Sequence, residues 1–192
     1  MDQNGTARAM ILDRAQSALL IVDVQERLAP AIADFGSLQT RLALLIGAAS
    51  SLGVPTTFTE QYSAGLGPTV PAVRTLAPAA PVIAKLHFQA TLEPGLEAWL
   101  AESGARHVIV AGTEAHVCVL QTALGLIGRG YEVFLVADAV GSRRELDRTL
   151  AIERLRSDGA RIVSAEMVVF EWLKRAATDE FRAVLGLIKA VP

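Results

Sequence analysis

Three side chains in this chain could act together as a nucleophile, a carboxylate and a cation: Cys118, Asp23 and Lys85. Two of them close short apolar runs, Ser17-Ala-Leu-Leu-Ile-Val-Asp23 and Pro81-Val-Ile-Ala-Lys85. The third lies shortly beyond a further run, His107-Val-Ile-Val-Ala-Gly112, within Gly112-Thr-Glu-Ala-His-Val-Cys-Val119. A thiol, a base and a group that tunes both are what nucleophilic catalysis requires. Each residue alone has a plainer explanation. Asp and Lys at strand ends often only satisfy a loop or face water, and a lone Cys is usually a small buried hydrophobe. Found together at strand ends, they favour chemistry. A cysteine near a helix start is expected to have a pKa below the usual value of about 8.5, because the positive end of the helix dipole favours the thiolate.

The elements that must position these residues can be read from hydrophobic spacing. Continuous apolar runs such as Ser17–Asp23 and His107–Gly112 read as strands buried on both faces. Further strands are expected at Val54–Thr59, Pro81–Lys85, Tyr131–Ala137 and Arg161–Ser164. Helices are expected at Leu38–Leu52, Leu92–Ser103 and Ala115–Arg129, the first two stopped by Gly53 and Gly104. Ser142-Arg-Arg-Glu145 has the form of a capping box with Ser142 as N-cap, opening a helix through Ser157. A Gly- and Pro-rich loop and a short helix follow the second strand, and two helical segments close the chain. Strands alternating with helices imply βαβ units. The fold class is therefore α/β: a three-layer α/β/α arrangement around a mostly parallel sheet of about six strands. Sheets of this kind carry their sites at the carboxyl ends of the strands, where the three candidates lie.

Composition narrows the partners. The chain has 192 residues, 52% hydrophobic and 20% charged, with a net charge of −2. This excludes a disordered chain and offers neither a nucleic-acid nor a membrane surface. A single cysteine permits no internal disulfide and no multi-cysteine metal site. One domain is expected over residues 1–192, with residues 1–16 as a poorly ordered N-terminal extension and 170–192 as a helical segment. The N-terminal stretch lacks a signal-peptide layout, so a cytoplasmic protein is expected.

Four segments, in order, resemble the isochorismatase-like hydrolases. They are Ser17 to Leu28 (S-A-L-L-I-V-D-V-Q-E-R-L), Lys85-Leu-His-Phe-Gln-Ala90, Gly112 to Ala123, and Tyr131 to Ser142. Thr59-Glu-Gln-Tyr62 followed by Gly65-Leu-Gly-Pro-Thr69 further resembles the branch that lacks an assigned physiological substrate. The resemblance implies a Rossmann-like isochorismatase fold and a catalytic triad of Asp23, Lys85 and Cys118. It also implies an oxyanion hole from the backbone N–H groups of Glu114 and Cys118, with Thr113-Glu114 as the candidate cis peptide.

The activity so implied is cysteine-dependent cleavage of a C–N bond in a small amide or ureide through a thioester, an amidase-type reaction. Metal-assisted nicotinamidases of the family carry an Asp-x-His motif after the second strand. Here that region reads Thr56-Thr-Phe-Thr-Glu-Gln-Tyr62, so neither a metal site nor a cofactor is expected. Cys118 argues against isochorismate cleavage, whose enzymes lack this nucleophile. Family members are commonly oligomeric, which implies a homo-oligomer here. Gln25, Leu28, Tyr62 and Phe88 are candidate substrate contacts, each with packing or a loop hydrogen bond as the plainer role. Gln89 could narrow the pocket. His116 has a helix-start or subunit contact as its plainer role, and Asp138 satisfies backbone donors. Two other readings stay open: a non-catalytic binding or scaffold protein, and a redox protein cycling Cys118 with an external thiol.

Overall fold

The computed structural model describes residues 11–191. In chain order its strands and α-helices are β1 (Ser17–Val22), α1 (Phe35–Leu52), β2 (Thr56–Gln61), α2 (Ser63–Leu66), α3 (Pro71–Arg74), β3 (Val82–Lys85), α4 (Pro94–Ser103), β4 (His107–Thr113), α5 (Leu120–Ile127), β5 (Glu132–Gly141), α6 (Glu145–Ser157), β6 (Arg161–Val163), α7 (Ala165–Leu173) and α8 (Asp179–Lys189). The six strands form one all-parallel sheet in the order β3-β2-β1-β4-β5-β6.

The continuous apolar run of β1 is explained by layers on both sides. Leu19 and Ile21 face α1 and α7 with Phe58, Ile109 and Phe134, whereas Leu20 and Val22 face α4, α5 and α6 with Val108, Val110 and Leu135. Side chains alternate across a strand, so a central strand covered on both faces has no polar side. Burying each such aliphatic side chain is worth roughly 1.5–3 kcal/mol. The closing helices complete the first face. Trp172 is buried and donates its indole N–H to Ser17 Oγ at 3.0 Å, and Val184 of α8 is buried as well.

Several boundaries differ from the sequence expectation. Residues 1–10 of the anticipated extension lie outside the described residues, but 11–16 are tied down. Leu12 is buried, and Asp13 caps the turn Arg14–Gln16 through the Ala15 N–H. The helix expected over Ala115–Arg129 is divided. A wide turn at Ala115–Val119, with Val119 N–H donating to Glu114 O at 3.2 Å, precedes α5. β5 runs to Gly141 across a register shift in the β4–β5 ladder: Val110 pairs with Leu135 but Gly112 with Val140 and Thr113 with Gly141, the extra residues lying on β5. Ser142 is consequently not an N-cap. Arg144 holds that place without a side-chain cap bond, and Ser142 is buried with Oγ 3.0 Å from His116 Nδ1.

Candidate active site

The strand order reverses direction between β1 and β4, the crevice where open parallel sheets bind ligands. Asp23 follows β1 directly and adopts φ 48°, a left-handed conformation that Asp tolerates better than most residues. Gly112 explains how the two strands come so close. Its φ is 118°, and a Cβ there would lie 2.1 Å from Val22 O. Beyond it, Thr113 Oγ1 donates to the carbonyl of Asp23 at 2.6 Å, and the Thr113–Glu114 peptide is cis. The chain then enters the wide turn that carries Cys118.

Lys85 comes from farther away. It ends β3, two strands from β1, and neighbouring strands are about 4.8 Å apart. Its side chain reaches over the end of β2 and places Nζ 2.7 Å from Asp23 Oδ2, with both side chains fully buried. Asp23 Oδ1 accepts from Thr59 Oγ1 at 2.7 Å, and the buried Oδ2 faces this ammonium. The Cys118 thiol is buried and within reach of both Asp23 and Lys85.

The electrostatics reverse one expectation. Burial, reinforced by the Asp23 carboxylate, pushes the Cys118 thiol up to about 12, while Lys85 pulls the other way. The lowering foreseen from a helix start is overridden, because burial disfavours the charged thiolate more than the neighbouring cation and the turn favour it. Cys118 is therefore held as a thiol beside Asp23.

Other candidates separate by surroundings. Gln25 is fully buried and spends its side chain on backbone, accepting from Gln61 N–H at 2.8 Å and donating to Gln61 O (3.0 Å) and Gly67 O (2.7 Å). It clamps the loop after β2 instead of facing a pocket. Leu28 is half-buried, and Tyr62 and Phe88 are exposed, as are their neighbours Leu86 and Leu92. Gln89 turns onto Thr91 Oγ1 at 2.7 Å. Glu114 is buried, its carboxylate held by Arg143 Nε at 2.6 Å, and His116 lies between it and Ser142. Asp138 accepts from Ala165 N–H at 2.8 Å. Among the described residues no group of three His, Cys, Asp or Glu side chains could hold a metal ion. A cavity of about 980 Å³ opens at the opposite, amino-terminal edge of the sheet, beside Gln16 and His107, and is separate from these residues.

Gln61 and Thr59 were not anticipated. Both lie on β2 between the strands that carry Asp23 and Lys85. Gln61 Oε1 accepts from Lys85 Nζ at 2.7 Å, and its Nε2 donates to Leu86 O at 2.8 Å. Their hints in the sequence were a place near the carboxyl end of a strand and the Thr59-Glu-Gln-Tyr62 segment, neither of which assigns them a role.

Residues 17–167 match the family model described as the isochorismatase domain. The chain belongs to the isochorismatase family. Isochorismatase domain-containing protein 1 of Danio rerio is 42% identical over 179 residues, covering 93% of this chain and 62% of the relative, so the chain spans under two thirds of that protein's length. Among solved structures, the MAR1 ribonuclease from Caenorhabditis elegans superposes with a TM-score of 0.88 at 36% identity, covering 94% of this chain and 93% of that one. The YcaC gene product of Escherichia coli, described as an octameric hydrolase of unknown specificity, gives 0.90 at 28%, covering 96% and 92%. An isochorismatase-like hydrolase fold thus accounts for the whole run from β1 to α7.

Proposed function

We propose that this isochorismatase-family chain is a metal-independent cysteine hydrolase that cleaves the C–N bond of a small amide or ureide, with Asp23, Lys85 and Cys118 as its triad. The observation that carries the reading is the buried Asp23–Lys85 pair at 2.7 Å, with the Cys118 thiol within reach of both. Tyr62 and Phe88, exposed just beyond the ends of β2 and β3, would suit a flat, uncharged substrate.

In this mechanism Asp23 accepts the Cys118 proton as sulfur attacks the planar carbonyl carbon. The S–C bond forms, and the carbonyl π pair moves to oxygen, facing the backbone N–H groups of Glu114 and Cys118. Collapse expels the amine, which takes the proton back from Asp23 and leaves a thioester. Water, deprotonated by Asp23, attacks the thioester; the acid departs and Cys118 recovers its proton. Lys85 keeps the carboxylate oriented and offsets the negative charge shared between acid and nucleophile. A raised thiol pKa fits a proton transferred during attack, not a standing thiolate.

We further propose one domain acting in the cytoplasm without a cofactor, as a homo-oligomer. Among the described residues no helix is long and apolar enough to cross a membrane. Exposed Leu146, Leu150 and Phe170, together with the octameric Escherichia coli relative, support self-association.

The test is a panel of small amides and ureides, with an RNA included because of the Caenorhabditis elegans relative. It is read by amine release and by intact mass for an acyl adduct. Amine release with an adduct on the wild type, both absent in Cys118→Ala, is the expected result. Turnover that survives Cys118→Ala, or ligand-induced stabilisation with no adduct across the panel, would overturn it. Peroxide turnover with an added thiol would favour redox chemistry instead.

A further inference from the structure

A lysine that must cross a strand to reach its partner needs something on that strand to hold it. Lys85 and Gln61 are register partners on β3 and β2, and β2 lies between Lys85 and Asp23. The ammonium group has three N–H donors. One faces Asp23 Oδ2 and a second faces Gln61 Oε1, each at 2.7 Å. The third lies between the carbonyls of His87 and Phe88 at the longer distances of 3.4 and 3.5 Å. Gln61 thus holds Lys85 at the same short distance as the acid itself.

The carboxamide is itself fixed. Nε2 donates to Leu86 O, so the oxygen is the end that faces Lys85. Gln25 grips the Gln61 backbone from both sides, and Tyr62 N–H donates to Lys85 O at 2.9 Å. A neutral acceptor also suits this place chemically. It satisfies a buried ammonium without competing for its charge, whereas a carboxylate would draw that charge from Asp23 and add a second anion near the thiol.

We propose that Gln61 is a positioning residue of the reactive centre, its carboxamide oxygen holding the Lys85 ammonium over the end of β2 so that its charge acts on Asp23 and Cys118. This assignment rests on the reading of Cys118 as the nucleophile. It predicts that Gln61 sets the reactivity of a thiol it does not itself modify.

The experiment is the rate of Cys118 alkylation by iodoacetamide between pH 7 and 10, followed by intact mass. It compares wild type, Gln61→Met, Gln61→Glu and Lys85→Met, with melting curves for each. Gln61→Met should slow alkylation about tenfold at every pH, the effect of about one pKa unit on a mostly protonated thiol. Gln61→Glu, which keeps size and acceptor but adds charge, should slow it at least as much. A merely structural loss would loosen the site and speed the reaction by exposing sulfur, so the direction of change separates the two roles. Wild-type or faster rates in both Gln61 variants, with Lys85→Met slowed, would overturn the role of Gln61 and leave the triad standing. An unchanged rate in Lys85→Met would remove the triad reading and the Gln61 assignment with it. Should Gln61→Met fail to fold, Gln61→Asn, whose shorter carboxamide withdraws the acceptor without adding charge, decides in its place.

Discussion

The hydroxyl of Thr113, at the end of β4, donates a 2.6 Å hydrogen bond to the backbone carbonyl of Asp23, at the end of β1. That carbonyl also accepts the Gln25 N–H at 2.9 Å. The acid and the turn bearing the thiol are therefore tied to one another before any substrate arrives. Thr113→Val removes this bond but leaves the second. It should cost about 1 kcal/mol in urea unfolding and lower amide turnover more than substrate affinity, with Thr113→Ser restoring both. Equal turnover in the Val variant would mean that the two strand ends need no tie.

Asp23→Asn and Lys85→Met should act in opposite directions on Cys118. The carboxylate raises the thiol pKa and the ammonium lowers it. Alkylation at pH 8 should therefore be faster in Asp23→Asn and slower in Lys85→Met, while hydrolysis is lost in both. Each variant leaves a buried group without its partner and should lose about 3–5 kcal/mol of stability. Rates that move in the same direction would contradict the electrostatic account.

Gly112→Ala should be among the most damaging single-methyl changes in this chain. The added Cβ would meet backbone, not a movable side chain, and φ is 118°. A loss of more than about 3 kcal/mol, or failure to fold, is expected in thermal or urea unfolding. A variant of wild-type stability would show that β1 and β4 can separate at this point.

The raised thiol also makes a pH prediction. The folded-state pKa lies above the ordinary thiol value of 9.0, so its contribution to stability is intact below pH 9 and is lost as pH rises toward about 12. At pH 10 the loss should be about 1.4 kcal/mol relative to pH 7. Cys118→Ala should lack that component when the two proteins are unfolded in urea at both pH values. Parallel losses in the two proteins would assign the alkaline sensitivity to other groups.

His107 works at the other end of the scale. Burial at the start of β4, against the Phe134 ring at 5.5 Å, lowers its pKa below the ordinary 6.5. Stability from neutral His107 is present above pH 6.5 and is lost as pH falls below that value. His107→Gln should flatten the acid side of the stability profile, measured by melting temperature between pH 7 and 5.

Much of this site was legible in the chain. Asp23, Lys85 and Cys118 stand out because apolar runs mark strand ends, and a parallel α/β sheet collects its reactive groups there. Gln61 could not be found the same way. Its use depends on β2 lying between β1 and β3, and strand order is a property of the sheet, not of any local pattern. Ser142 misleads for a related reason. Its spacing to Glu145 satisfies a capping box, yet the extra residues of β5 at the register shift carry that strand onward, and the hydroxyl is buried against His116. The thiol was misjudged because a helix start is a local signal, whereas desolvation depends on what the distant chain lays over it.

The reach of Lys85 has a kinetic corollary. The cation that tunes Cys118 is supplied from β3, a four-residue strand at the outer edge of the sheet whose Val82 is already solvent-exposed. Edge strands fray before central ones, and when β3 lifts, the ammonium leaves while β1 and β4 still hold the acid and the thiol. Under the proposed mechanism, amide turnover is thereby a gauge of the sheet's margin. Warming should extinguish it at a temperature where the circular dichroism of the core has not yet changed.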